Sequence, residues 1–354
     1  MTIETVSNIQ ALVRDGFSDW AVLGDVKVIE YADFLLFNYT AKAQYIGRWN
    51  AFERMSRGLI VNRVTGEIVA RPFDKFFNWN ERGMKTDAPI VSVAEKYDGS
   101  LGILWRDGNK YRIATRGSFD SEQAKWATRW LNAAYTPEQL DRWNEDYTYL
   151  FEIIYSGNRI VIDYADMQGL VLLAMRHRHT GEYVDHVAVL EFATAWQLYS
   201  PRNFIDLLSP DDLTNHCTAL PANEEGYVAT FADGSIFKFK GTAYCELHKL
   251  ISGISFKNTL DAVANGTVDH VREHVPDEFL ADFNRWVSEI EHTVKHITDA
   301  TEDVYANAPK DNRGAYAAYV LQTAPDLAPY AFARLDNKPL APVIYKQAFR
   351  SITV

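Results

Sequence analysis

Three short stretches restrict what this chain can fold into more than any other feature. LIVNRVTGEIVARP, LGILWRDGNKYRIATR and YVATFADGSIFKFK each place a two-residue turn between runs rich in β-branched and aromatic residues. The turns are Thr65-Gly66, Asp107-Gly108 and Asp233-Gly234. A glycine takes the positive φ that a tight hairpin requires, and the flanking residues suit a pleated, half-buried surface. The stretches therefore predict three antiparallel strand pairs. Strand texture begins near Val26, and further strands are expected at 148–155 and 169–175. Helical spacing is readable at 3–14 (Ile3, Val6, Ile9, Leu12, Val13, stopped by Asp15-Gly16) and at 121–133.

After about residue 245 the texture changes. In DEFLADFNRWVSEIEHTVKHITDATEDVY the apolar residues Phe279, Phe283, Trp286, Ile290, Val294 and Ile297 fall at steps of three or four. Pro276-Asp277-Glu278 would supply the proline and acids that a first helical turn favours. Residues 314–322 also have helical spacing. The expectation is a mixed α+β domain with a largely antiparallel sheet over 1–245, followed by a smaller all-helical C-terminal domain over 246–354.

The chain has 354 residues, 47% of them hydrophobic, and a formal charge of −11. That charge argues against a surface basic all over, but not against a local basic groove. Residues 245–354 hold 11 Lys+Arg and 15 Asp+Glu, which makes a broad phosphate-binding face there doubtful. No apolar run is long enough to span a membrane. The start has no basic region followed by an apolar one, so no secretory leader is expected. Cys217 and Cys245 form no CxxC motif and suit a reducing cytoplasm, the host's if the source is viral.

The chemistry-bearing stretch is EKYDGSLGILW, residues 95–105. Asp98-Gly99-Ser100 reads as a tight turn that would let Lys96 project. Lys-x-Asp-Gly alone is weak: in a chain this long it arises by chance with a probability of roughly one in ten. Its company is more specific. Ser56-Arg57-Gly58 precedes it, then Arg71-Pro72-Phe73-Asp74-Lys75-Phe76-Phe77-Asn78. After it come Thr115-Arg116-Gly117-Ser118, Phe151-Glu152-Ile153-Ile154, Asn158-Arg159-Ile160-Val161, Glu225-Gly226-Tyr227-Val228 and Lys238-Phe239-Lys240, with Tyr244 shortly beyond.

In that order, over about residues 48–248, these elements resemble the covalent nucleotidyltransferase superfamily of ATP-dependent ligases and capping enzymes. Within it they are most similar to the phage T4-type RNA ligase 1 family of tRNA-repair ligases. The resemblance implies an adenylyltransferase domain over 1–245, with Lys96 as the lysine that becomes adenylylated. Arg57 would contact the nucleotide phosphates. Lys75, Phe77, Glu95, Glu152, Lys238 and Lys240 would complete the ATP contacts, with Asp98, Gly99, Arg116 and Tyr244 as further parts of the site. The implied partners are ATP, Mg²⁺ or Mn²⁺, and RNA ends, in particular a tRNA nicked in its anticodon loop. No membrane partner is implied, and the chain is expected to be a monomer. In the family the helical domain contributes to tRNA recognition, so its deletion should spare adenylylation and impair tRNA repair.

Physical chemistry supports the assignment. A lysine amine attacks phosphorus only when unprotonated, and an ordinary lysine is almost all ammonium at neutral pH. Neighbouring positive charge or desolvation can change that. Lys238 and Lys240 lie two apart on a strand, so they share a face; turned toward Lys96, they would activate it and hold the triphosphate. Glu152 shares a strand face with Leu150 and Ile154, where a carboxylate needs a partner. Glu225 is the stronger metal candidate, with Glu152 as a ribose or metal contact. Glu225 precedes Gly226, whose backbone could approach a ligand closely, and Glu224 is its rival.

Each element has a plainer reading. Lys238-Phe239-Lys240 alone is more often an edge strand guarded by lysines. Arg57 alone would be a surface ion pair, and Phe76, Phe77 and Trp79 alone would be core. The His270/His274 and His292/His296 pairs have metal-chelating spacing but no third ligand, and read as solvated helix residues. Asp163, Asp166 and Asp185 carry no motif. The functional alternatives are a DNA ligase or capping guanylyltransferase, both of which carry a β-rich OB domain after the last motif, and a noncatalytic RNA-binding scaffold. A helical 246–354 and the Asn158-Arg159-Ile160-Val161 element favour the RNA ligase.

Overall fold

A computed structural model of the chain describes residues 2–207, 209–273, 275 and 279–349. The fold has two compact units, Met1–His248 and Lys249–Val354.

In the first unit the hairpin signals produce three four-stranded sheets. The first has the order β1 (Val26–Tyr31), β2 (Phe34–Tyr39), β3 (Arg57–Asn62), β4 (Ile68–Ala70). The strands that follow along the chain are β5 (Phe77–Asn78), β6 (Ile90–Glu95), β7 (Ser100–Asp107), β8 (Lys110–Thr115), β9 (Tyr147–Ile154), β10 (Gly169–His177), β11 (Gly226–Phe231) and β12 (Ile236–Lys240). They form a second sheet ordered β10-β9-β7-β8 and a third ordered β5-β12-β11-β6. The three hairpins pair as β3/β4, β7/β8 and β11/β12, all antiparallel. Among the described strands the one parallel pair is β5 with β12, with Phe77 opposite Phe237.

Burial explains the stacking. Phe34, Leu36 and Ile60 of the first sheet share one cluster with Ile103, Trp105 and Leu150 of the second, so these two sheets pack face to face. The first sheet's other face is covered by α1 (Val6–Arg14). Thr5 caps α1 in a capping box with Asn8, so the helix starts later than 3–14 predicts, although Ile3 is still buried. Two short helices follow, α2 (Ala41–Ile46) and α3 (Ala51–Met55). The second sheet's outer face is covered by α4 (Glu122–Ala134), α5 (Pro137–Leu140) and α6 (His186–Ala195), and the third sheet packs against α7 (Pro210–Ala219). Helices α6 and α7 had readable starts: Asp185 caps the first, and Ser209-Pro210 opens the second.

The helix α8 (Thr242–Ile251) carries the chain into the second unit. There α9 (Phe256–Ala264), α10 (Val268–Arg272), α11 (Leu280–Asn307), α12 (Arg313–Thr323), α13 (Ala328–Leu335) and α14 (Leu340–Ala348) form an all-helical array. The 28-residue α11 buries Phe283 and Ile290 of the predicted stripe, leaves Trp286, Val294 and Ile297 half-buried, and also buries Val287, which the stripe did not include. Leu260 of α9 joins Ile290 in one cluster, and Tyr316 with Ala331 anchors another. Pro276-Asp277-Glu278, expected to open the long helix, lie outside the described residues. Among the described residues no helix is long and apolar enough to cross a membrane.

Candidate active site

Lys96 sits where the chain leaves one sheet for another. Strand β6 ends at Glu95 in the third sheet, and β7 starts at Ser100 in the second. The tight turn expected at Asp98-Gly99-Ser100 is therefore a crossover between sheets. The Lys96 amide donates to the Gly226 carbonyl (2.9 Å), which ties the crossover to β11. Tyr97 stacks on Tyr164, ring centres 5.4 Å apart.

Asp98 is what holds the crossover. Its Oδ2 accepts from the Val161 and Ile162 amides (2.8 and 2.9 Å), and its Oδ1 accepts from the Tyr244 hydroxyl (2.8 Å). Its own amide donates to the Tyr164 hydroxyl (2.7 Å). A buried carboxylate with three donors has its charge accounted for. Three elements recognised separately in the sequence thus meet on one side chain. Gly99 is required by proximity: a Cβ there would lie 2.6 Å from the Ile153 carbonyl oxygen and 3.1 Å from Glu152 Cγ.

The charges converge from two sheets. Lys96 Nζ donates to Glu225 Oε2 at 2.7 Å, and Lys240 Nζ lies 3.1 Å from Glu225 Oε1. Glu225 is only 3% exposed, and it, not Glu224, meets the lysine. The sheet itself requires Gly226: at φ 131 its Cβ position falls 2.0 Å from the Phe239 carbonyl oxygen of β12. Glu152 approaches from β9. Burial pushes its carboxyl up to about 7; Lys96 works against that rise, while Glu225 and Asp98 add to it. Lys240 also lies over the Tyr244 ring at 5.6 Å.

The remaining cations collect around two aromatic side chains at the start of β5, Phe76 and Phe77. Arg57 and Lys238 both lie over Phe76, at 5.4 and 5.2 Å. Arg57 Nη1 is buried without a hydrogen-bond partner, the kind of donor an anion would satisfy. Lys75 is buried among Tyr39, Trp49 and Phe77, at 5.4–5.6 Å from each ring. Arg116 donates to the Tyr39 hydroxyl (2.7 Å). Sequence reasoning singled out Phe77 but not Phe76, Tyr39 or Trp49. For Phe76 the signal was available, since adjacent residues of an extended chain face opposite ways. Strand β12 lies between β11 and β5, so its lysines do not guard an open edge.

Glu95 is gripped by Arg202 at 3.0 and 3.1 Å. Asp163 pairs with Arg159, Asp185 caps α6, and Trp79 lies in the core of the third sheet. His292 and His296 stack on α11, and His274 lies outside the described residues. Among the described residues no three His, Cys, Asp or Glu side chains are grouped to hold a metal. A magnesium-like ion needs no such cage: one or two carboxylates with substrate phosphates suffice. Glu225 and Glu152 fit that donor set.

The family model described as "RNA ligase" matches residues 55–246, more than half of the chain. The chain belongs to the RNA ligase family. The matched span contains the charged residues of the site, from Arg57 to Lys240, and Tyr244, while Tyr39 and Trp49 precede it. Among relatives of this RNA ligase family chain, a protein of Autographa californica nuclear polyhedrosis virus described as a bifunctional polynucleotide kinase/RNA ligase is 27% identical over 70% of this chain and 38% of its own length. RNA ligase 1 of bacteriophage TS2126 is 28% identical over 53% of this chain and 50% of its own. The chain thus spans half or less of these relatives. Among solved structures, an archaeal ATP-dependent RNA ligase covers 88% of both chains at 14% identity, with a TM-score of 0.47.

Proposed function

We propose that the protein is an ATP-dependent RNA ligase that works through a lysyl-AMP intermediate. The observation that carries this reading is the convergence of Lys96 and Lys240 on buried Glu225 at the seam between two sheets. In the first step Lys96 Nζ, freed from Glu225 and deprotonated, attacks the α-phosphorus of ATP. A phosphorus–nitrogen bond forms, and the bond to the departing pyrophosphate breaks. Arg57, Lys238 and Lys240 offset the charge of the phosphates, since phosphoryl transfer depends mainly on positioning and charge stabilisation. A divalent cation held by Glu225, with Glu152 as second ligand or ribose contact, supplies further charge neutralisation when bound. An RNA 5′-phosphate then takes the AMP from Lys96, and an RNA 3′-hydroxyl displaces it as the strand is sealed.

The substrate we assign is a tRNA broken in its anticodon loop, with the helical unit recognising the tRNA body. The resemblance of the ordered motifs to the tRNA-repair ligases motivates that choice; the family match and the relatives carry it only as far as RNA ligation. The test is intact mass after incubation with ATP and Mg²⁺, for wild type and Lys96→Ala, followed by sealing of a nicked tRNA. Gain of one adenylyl group by the wild type alone, with sealing, is expected. An adenylate on the variant would overturn the role of Lys96. Efficient sealing of nicked DNA, or equal use of GTP, would move the protein to another branch of the superfamily.

A further inference from the structure

Two grooves of the first unit meet beside the site; the larger shares Lys75, Phe76 and Phe77 with it, and the smaller shares none of its residues. One, of about 910 Å³, has Phe76, Met84 and Ile236 among its apolar lining. The other, of about 440 Å³, reaches the first turn of α1. Both are lined by Arg54 and Asp74, so they join there. The larger alone approaches the upper end of the 300–1,000 Å³ typical of small-molecule pockets, and the pair is elongated along the Arg71–Phe77 segment.

The lining is basic within an acidic protein. Five cations (Arg54, Arg71, Lys75, Lys85, Arg176) face three carboxylates (Glu4, Asp74, Glu182), against −11 for the chain. One of those carboxylates is already committed, because Asp74 pairs with buried Arg176 at 2.9 Å on both of its oxygens. Arg54 and Lys85 are exposed and form no salt bridge among the described residues. Phe76 lies at the end of the groove and is also the ring beneath Arg57 and Lys238, so the groove runs up to the phosphate-binding cations.

Spaced cations with an apolar floor suit a single strand of nucleic acid, whose phosphates track the charges while bases lie on apolar surface. Resting on the ligase reading, we infer that this groove holds the single-stranded RNA next to the end being sealed, with phosphates on Arg54 and Lys85 and bases against Met84 and Phe76. The occupant is an RNA segment and not the triphosphate of ATP, because Arg54 and Lys85 lie outside the cluster around Lys96.

The experiment compares full-length wild type with Arg54→Ala/Lys85→Ala and Lys85→Glu. It measures binding of a short 5′-phosphorylated oligoadenylate at several salt concentrations, and the ATP dependence of self-adenylylation. The double variant should adenylylate within about twofold of wild type and bind RNA about tenfold or more weakly. Its dependence of log affinity on log salt should be shallower by roughly 0.7 for each RNA phosphate that no longer meets a cation. Unchanged RNA affinity and salt slope would overturn the inference. A higher ATP requirement with unchanged RNA affinity would also overturn it, by assigning the groove to the triphosphate. Wild type that forms no adenylate would remove the ligase reading itself, whereas an adenylating wild type matched by its variants removes only the groove.

Discussion

The two units of this molecule treat charge in opposite ways. In the first, Glu53, Lys75, Asp98, Glu152, Arg176 and Glu225 are all buried. In the second, the buried polar side chains among the described residues are Thr259, Asn284 and Thr301, none of them charged. Its ion pairs lie outside, such as Lys295–Asp299 and Arg313–Asp336. Burying a charge costs several kcal/mol unless it is paired and hydrogen-bonded. The first unit carries that cost repeatedly, and four of the six residues are in or beside the lysine site. The second unit is built the way a helical array is built when stability alone is served. Buried charge therefore marks the chemistry in this protein, whereas the count of charged residues does not.

The strongest break of that comparison is Lys96→Ala. We expect adenylylation to fall by at least about 10³-fold, while the thermal midpoint stays close to wild type, because Glu225 keeps Lys240. Mass and melting measured on one preparation check both halves. The next effect is on stability. Asp98→Ala removes the acceptor for two amides and the Tyr244 hydroxyl and should cost about 3–5 kcal/mol in urea unfolding. Tyr244→Phe deletes one hydrogen bond to the same carboxylate and should cost about 1.5–3 kcal/mol.

Glu152 gives a pH test. Its carboxyl titrates at about 7 in the folded protein, above the ordinary 4.5, because it is buried. The folded state therefore holds this proton more tightly than the unfolded state. The resulting stabilisation is complete below about pH 4.5 and is lost as pH rises through about 7. Glu152→Gln cannot ionise, so the stability of wild type relative to this variant should fall by on the order of 3 kcal/mol between pH 4.5 and pH 8. A pH-independent difference would show that the carboxylate is compensated in the folded state. The smallest effect belongs to the second unit: Lys295→Ala should change stability by under about 1 kcal/mol, as exposed pairs do. A large loss there would erase the contrast between the units.

Much of this was legible in the sequence, for reasons that differ by residue. The three hairpins could be read because a turn glycine and its flanking strands are neighbours in the chain. The stripe of α11 could be read because helical contacts repeat every three or four residues. The partners of Asp98 could not: Val161, Ile162 and Tyr244 lie 63, 64 and 146 residues away, and no local pattern encodes such a meeting. Nor could the parallel pairing of a two-residue β5 with β12, which carries Phe76 to Lys238. The crossover at Lys96 looked like a turn because glycine serves both purposes, bending a hairpin in one case and admitting a neighbouring strand in the other. The ordered set of motifs named residues that the fold brings together, but not the second carboxylate oxygen of Glu225, which binds Lys240.

That shared carboxylate has a consequence for the order of events. Before reaction, Glu225 balances two ammonium groups. Under the proposed lysyl-AMP mechanism, adenylylated Lys96 would have no cationic nitrogen, which would leave Glu225 with Lys240 alone. On that proposal the protein that meets RNA would lack the ammonium and carry an anionic phosphoramidate, so its centre would be two charges more negative than that of the protein that met ATP. If the proposal holds, the site would keep a record of the step it has completed, written as a change in its own charge balance.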